Sequence, residues 1–355
     1  MKQILAHIII LISFTYTLQG QTAMDTINLP EVKLEQSRLR THSIATQMEI
    51  FTPVELGNFP SQNLVDFLSL NSALYFRQYG GLATPSFRGT SSSHTLVLWN
   101  GIPLNSVATG LMDFSILPVN TGNELAVVHG GDGSVFGSGA IGGSVHFNTI
   151  SNFKPKKQMK FTSEIGSFGL RSNTLSLQHT EGKLSVQASL FSLSDNNSFE
   201  FVNTTQIGHP SVMNEYGKIE SKHQQLDLAY RYDNYNQFSI NYWSEDNNRE
   251  VPQNMTIPFS DAKQYDACKR LLFSSKHRFD NSSLQLKQAY LKEDFHYTEL
   301  LWNIDSHYLA ESHITDADFK YFKGNYLLNL GSAYAKKSVT STNYLDMKQD
   351  EKQLA

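Results

Sequence analysis

From about residue 159 onward, apolar and polar residues alternate with period two. Met159, Phe161 and Ile165 fall on one side, and Lys160, Thr162 and Glu164 on the other. Leu184, Val186, Ala188 and Leu190 interleave with Ser185, Gln187 and Ser189 in the same way, as do Phe238, Ile240 and Tyr242 with Ser239 and Asn241. A further stripe holds Leu226, Leu228, Tyr230 and Tyr232, and noisier ones fall near 271–279, 284–294, 307–320 and 325–336. Successive side chains of a strand point to opposite faces, so each stripe predicts a strand with one apolar face. Alternation alone fits a soluble sandwich as well as a membrane barrel. The connections separate the two. Short turns at 180–183, 233–236, 280–283 and 323–325 alternate with mostly longer links near 194–221, 246–268 and 296–306, the first link at 166–169 being short. Strands of about ten residues, short turns at one end and long loops at the other, with Tyr and Phe near strand ends, predict a transmembrane barrel.

Residues 41–150 differ. Leu64, Phe67 and Leu68 are spaced for a helix over 63–70, with Ser61 placed to cap it. Thr95 to Trp99 reads as a strand, and Asn100-Gly101 is the preferred two-residue hairpin turn into Ile102, Pro103 and Leu104. Strands follow at 124–129 and 144–148, separated by a Gly-dense run over 130–143 that implies tight turns or close backbone contact. A Lys/Pro hinge at 154–157 separates this α+β segment from the alternating one.

The first twenty residues place the chain outside the cytoplasm. An apolar-leaning run over 8–18 follows Lys2, and Gly20 offers a small residue for cleavage before Gln21. That run suits a signal peptide and is too short for a helix needing roughly 20 residues to span a bilayer. Residues 21–40 read as an exposed linker. Composition agrees: charged residues are 17% of the chain, and 22 Phe and 16 Tyr stand beside a single cysteine, Cys268, which cannot form an intramolecular disulfide. The net charge of −4 gives no electrostatic reason to expect a nucleic-acid partner.

Two stretches then carry a resemblance. Pro85-Ser86-Phe87-Arg88-Gly89 precedes Thr95-Leu96-Val97-Leu98-Trp99-Asn100-Gly101-Ile102-Pro103-Leu104-Asn105. Glu124-Leu125-Ala126-Val127-Val128-His129-Gly130-Gly131 precedes Phe136-Gly137-Ser138-Gly139-Ala140-Ile141-Gly142-Gly143. Together they resemble the plug signatures of TonB-dependent receptors, with Asn100, Gly131 and Phe136 replacing the usual Asp, Pro and Tyr. The resemblance implies an α+β plug over 41–150 followed, from 155 to 355, by an incomplete antiparallel transmembrane β-barrel. About nine of an expected 22 strands are present, so the chain is expected to be the N-terminal part of a longer one. It marks Arg88, Gly89, Asn100, Gly101, Gly130, Gly137, Gly142 and Gly143 as plug residues. It also implies a coupling box at Thr26, Ile27, Asn28, Leu29, Pro30, Glu31 and Val32, which would hand a strand to TonB, energised by ExbB and ExbD. The implied function is active uptake of a scarce nutrient across the bacterial outer membrane, corrinoid favoured and ferric siderophore second. A non-transporting adhesin is the alternative.

Chemical readings are weaker. Gly137-x-Gly139-x-x-Gly142 matches the dinucleotide fingerprint, but the segment after it reads as a strand where phosphate binding needs a helix. No nucleophile elbow or zinc-ligand spacing occurs among the 12 His residues. No enzyme, cofactor or metal site is expected, and Asp195-Asn196-Asn197 reads as an ordinary loop rather than a calcium site.

Overall fold

The computed structural model describes residues 46–354, apart from 60–62, 80, 120–123, 131–132, 137, 253, 258 and 344–347. The expected export signal, the expected coupling box from Thr26 to Val32, Ser61 and Gly137 lie outside the described residues.

The plug starts with strand β1 (Gln47–Phe51) and a one-turn helix α1 (Pro53–Leu56). Thr52 and Glu55 form a reciprocal capping box around α1. The bonds that Thr52 donates hold the exposed Glu55 carboxyl below its usual range. Helix α2 spans Leu64–Asn71, and its N-cap is Asn63, whose Oδ1 accepts the Asp66 amide at 2.8 Å. The expectation of Ser61 is thus corrected: the capping oxygen sits at the residue next to the first helical one. Leu64, Val65, Phe67 and Leu68 form the buried face of α2. A hairpin follows, β2 (Tyr75–Tyr79) with β3 (Leu82–Ser86).

Strands β4 (Thr95–Trp99), β5 (Ile102–Pro103) and β6 (Glu124–His129), helix α3 (Gly133–Phe136) and strand β7 (Gly143–Asn148) complete the plug. The sheet order is β1-β6-β7-β4-β5, antiparallel except for the parallel β4–β7 pair. Every residue of β4 is buried, as covering on both faces requires. The turn forecast at Asn100-Gly101 is present, with φ of 51° and 83°, the two positive values that a type I′ turn needs.

Twelve more strands follow: β8 (Lys156–Ile165), β9 (Arg171–Glu181), β10 (Leu184–Asp195), the short pair β11 (Glu200–Val202) and β12 (Ser211–Met213), then β13 (Ile219–Arg231), β14 (Gln237–Glu250), β15 (Lys263–Arg278), β16 (Ser282–Glu299), β17 (Ile304–Lys323), β18 (Tyr326–Ser341) and β19 (Lys348–Leu354). Ten of these, all but β11 and β12, form one antiparallel meander with β8 and β19 at its edges. Among the described residues the meander thus has ten strands, where about nine were expected. The extra strand is β19, which contains the polar Asp350 to Gln353 and pairs with β18. The link expected over 296–306 shrinks to 300–303, because β16 and β17 run on as strands of 18 and 20 residues.

Burial shows which way the sheet faces. Leu177, Leu226, Ile240, Leu271 and Phe273 are exposed, while Ser221, His223, Glu245, Asn247, Arg249 and Arg270 are buried. A water-soluble sandwich buries the apolar face of each sheet. This wall does the reverse, with polar residues inward against the plug, as a barrel in lipid does. No helix among the described residues is long and apolar enough to cross a membrane.

Candidate functional site

The inward residues of β14 recur at every second position: Asn241, Trp243, Glu245, Asn247 and Arg249 are all buried. They meet the plug along a seam that changes character with height. Near the short-turn end the contacts are amide and ammonium bonds to plug carbonyls. Gln187 Nε2 donates to the Ile150 carbonyl at 2.9 Å, and Lys287 Nζ to the Asn100 carbonyl at 2.8 Å. Midway, Trp243 packs edge-on against Trp99 and Phe147, with ring centroids 6.0 and 5.8 Å apart. The Arg270 guanidinium lies 4.4 Å over the Trp243 ring and pairs with Glu245, so its buried charge has a carboxylate and an aromatic face.

At the long-loop end Arg249 joins wall to plug. Its Nη2 pairs with Asp113 Oδ2 at 2.7 Å, and its Nη1 donates to the Gly81 carbonyl at 2.8 Å and to Ser115 Oγ at 2.9 Å. Asp266 on β15 stands 3.6 Å away. One planar fork thus holds the tip of the β2–β3 hairpin and the 113–115 segment together. Tyr308 of β17 approaches Ser106 Oγ at 3.4 Å and donates to Glu293.

Most of the described plug residues expected from sequence fall into two groups. Gly142 and Gly143 sit against the Arg88-Gly89 turn. A Cβ on Gly142 would lie 2.5 Å from Thr90 Oγ1, and one on Gly143 would lie 2.8 Å from the Phe87 ring. Those glycines are needed for close approach. Asn100 ties the ends of β4 and β7 together: its amide donates to the Phe147 carbonyl at 2.8 Å, and its Oδ1 accepts the Thr149 amide at 2.7 Å. Gly130 ends β6 at φ 127°, in neither group. The residues that hold the seam, Arg249, Asp113, Trp243 and Lys287, were not singled out from sequence. Asn105, quoted only as part of a motif, accepts the Val97 amide at 2.8 Å and donates to the carbonyls of Thr95 and Gly110.

Directly after Gly142, where phosphate binding needs a helix, the chain enters strand β7. His146, on β7, shares a 2.7 Å hydrogen bond with Ser144. Burial, and secondarily the Lys287 charge, push its imidazole down to about 3. Asp195 accepts the Asn197 amide at 2.8 Å, a local turn contact. No group of three or more metal-binding side chains occurs among the described residues.

Residues 40–144 match the TonB-dependent receptor plug domain. Over 199 residues, 55% of this chain, it is 29% identical to the vitamin B12 transporter BtuB of Vibrio vulnificus and covers 31% of that protein. BtuB of Vibrio cholerae is 29% identical over 168 residues, 46% of this chain and 26% of that one. The chain thus spans about a third of the curated relatives it matches. Among solved structures, the FrpB iron transporter of Neisseria meningitidis superposes with a TM-score of 0.68 at 12% identity, over 85% of this chain and 49% of that one. The siderophore receptor PiuA of Acinetobacter baumannii gives 0.64 at 12% identity, over 87% and 52%. Such likenesses show the fold, and these relatives are transporters or receptors rather than enzymes. With that plug seated on the polar face of an apolar-outward meander, the chain carries the plug domain of the TonB-dependent receptors and shares their fold.

Proposed function

We propose that the complete protein is an active transporter of the bacterial outer membrane, taking up a corrinoid, with a ferric siderophore as the second choice. The observation that carries this is the seam: a folded plug held across the polar inner face of a sheet whose outer face is apolar. A plug that only had to block a pore could bury an apolar contact throughout. Hydrogen bonds and ion pairs in the seam let the plug shift when a ligand alters a few of them. The corrinoid preference rests on the named transporters among the curated relatives.

In this reading residues 1–20 are the export signal and 21–40 the coupling box and linker. Plug and N-terminus are reached from the periplasm, beside the short turns. Ligand arrives at the long-loop end, and Thr26 to Val32 pair with TonB as an added strand, powered through ExbB and ExbD. The test uses the complete receptor in cells. A second proline, Leu29→Pro, removes another backbone donor from the box. Labelled corrinoid should still bind at the cell surface, while energy-dependent accumulation falls to background. Full accumulation by the variant would remove 26–32 as the coupling box. Accumulation by neither variant nor parent, with binding intact, would favour the adhesin.

A further inference from the structure

We infer that the outward face of β14–β19, at the long-loop border of its apolar belt, binds the phosphomonoester headgroup of a membrane lipid. This goes beyond the uptake reading and needs only that the meander faces lipid. Outward positions follow from the register. Ile240, Leu271 and Leu286 are exposed members of the belt, and the same parity continues along each strand toward the long loops. At the top of the belt one row holds Tyr242, Leu271, Tyr290, His313 and Lys336, each the direct partner of the next, and Lys336 faces Lys352 of β19. The row above it holds Ser244, Lys269, Lys292 and Glu311 in the same way. Two lysine pairs, Lys269–Lys292 and Lys336–Lys352, thus stand directly opposite one another on a single face. Like charges in that relation destabilise a sheet. An anion shared between them turns the repulsion into two attractions.

Height and neighbours say what the anion is. On β16 Ser282 and Lys292 are 10 positions apart, as are Lys323 and His313 on β17. A tilted strand crosses the hydrocarbon in about 9–11 residues, so the lysines reach headgroup level, with their stems along the belt and their ammoniums above it. Tyr290 and His313 pack at 4.9 Å beneath them, an aromatic border of the kind that lies between acyl chain and headgroup. The nearby carboxylates have other partners. Glu311 accepts from the Tyr290 hydroxyl at 3.0 Å and stands 3.9 Å from Lys292, beyond hydrogen-bond reach. One row higher, Asp246 accepts from Tyr265 at 3.2 Å and Asp294 pairs with His307 at 2.9 Å. A phosphomonoester brings a charge of about −1.5 to −2 and three acceptor oxygens, enough to bridge two ammoniums. At the short-turn border the outward positions of these strands include the exposed aromatics Phe238, Tyr321 and Tyr326. The two borders therefore suit different headgroups.

The test reconstitutes the complete receptor in phosphatidylcholine vesicles holding a minor fraction of phosphatidic acid, a phosphomonoester, or of phosphatidylserine. Lipid retained on extraction is measured by native mass spectrometry, and thermal midpoints by tryptophan fluorescence. Phosphatidic acid should be retained at least about threefold over phosphatidylserine, and less so as salt is raised. Lys269→Gln combined with Lys292→Gln should cut that retention at least about fivefold, the effect of roughly one ammonium at an anionic surface. In pure phosphatidylcholine the double variant should melt no lower than its parent, because the repulsion is gone. Added phosphatidic acid should then raise the midpoint of the parent more than that of the variant. Lys323→Gln, at the opposite border, should keep the lipid. Equal retention of the two lipids, undiminished retention by the double variant, or an equal loss in Lys323→Gln would overturn the inference. So would a double variant that melts below its parent in pure phosphatidylcholine, since the lysine pair would then serve the fold itself.

Discussion

Plug and wall use the same device in opposite senses. In the plug, Val97, Trp99, Leu125, Val127, Val145 and Phe147 point inward and share one core. In the wall the apolar members of each strand are the exposed ones, and Glu245, Asn247, Arg249 and Arg270 are hidden. A period-two pattern fixes that a strand has two unlike faces, while the surrounding solvent decides which is turned in. Water drives the apolar set of the plug together. Lipid takes the apolar set of the wall, and the polar set must then find partners in the seam, where an unpaired group would be costly.

The largest test of that contrast is at Arg249. Replacing it by Met leaves Asp113 and Asp266 in the seam without their cation, and breaking a buried pair costs about 3–5 kcal/mol. The urea midpoint of plug unfolding, followed by tryptophan fluorescence in the complete receptor, should fall accordingly. An unchanged midpoint would mean that the seam is held by its apolar contacts alone. On the outer face Ile240→Arg should cost about 2–4 kcal/mol if the residue lies near the bilayer midplane. Folding into lipid vesicles measures this, and an Arg tolerated without loss would place that face in water.

The third test titrates the plug interior. His146 has a folded value of about 3, depressed below the ordinary imidazole. The unfolded chain therefore takes up a proton first as pH falls. Stability is full above about pH 6.5 and declines below it by roughly 1.4 kcal/mol per unit until the folded group also titrates. His146→Gln should flatten the dependence of the midpoint between about pH 6 and 4. A slope equal to that of the parent would assign the acid sensitivity elsewhere.

How much of this was legible depended on contrast between neighbours in sequence. Leu226, Leu228 and Tyr230 stand out against Asp227 and Ala229, so that strand was plain. The first residues of β17 were not, because Asp305 faces outward where a strong apolar residue would be needed to show the period. Strand length was underestimated for that reason, and 296–306 was read as a loop. The Asn100-Gly101 turn was legible because its geometry demands those residues. The Arg249–Asp113 pair was not, since its partners lie 136 residues apart and neither has a local signature.

The lengthening of the strands has a consequence of its own. β8 has 10 residues and β17 has 20, which at about 3.3 Å per residue is about 33 Å against 66 Å. Crossing the hydrocarbon takes only about 9–11 residues of tilted strand. β8 is therefore nearly used up by the crossing, while about half of β17 rises clear of it, like a parapet that climbs along the meander from β8 to β17. Along this arc the threshold is low beside β8 and high beside β17.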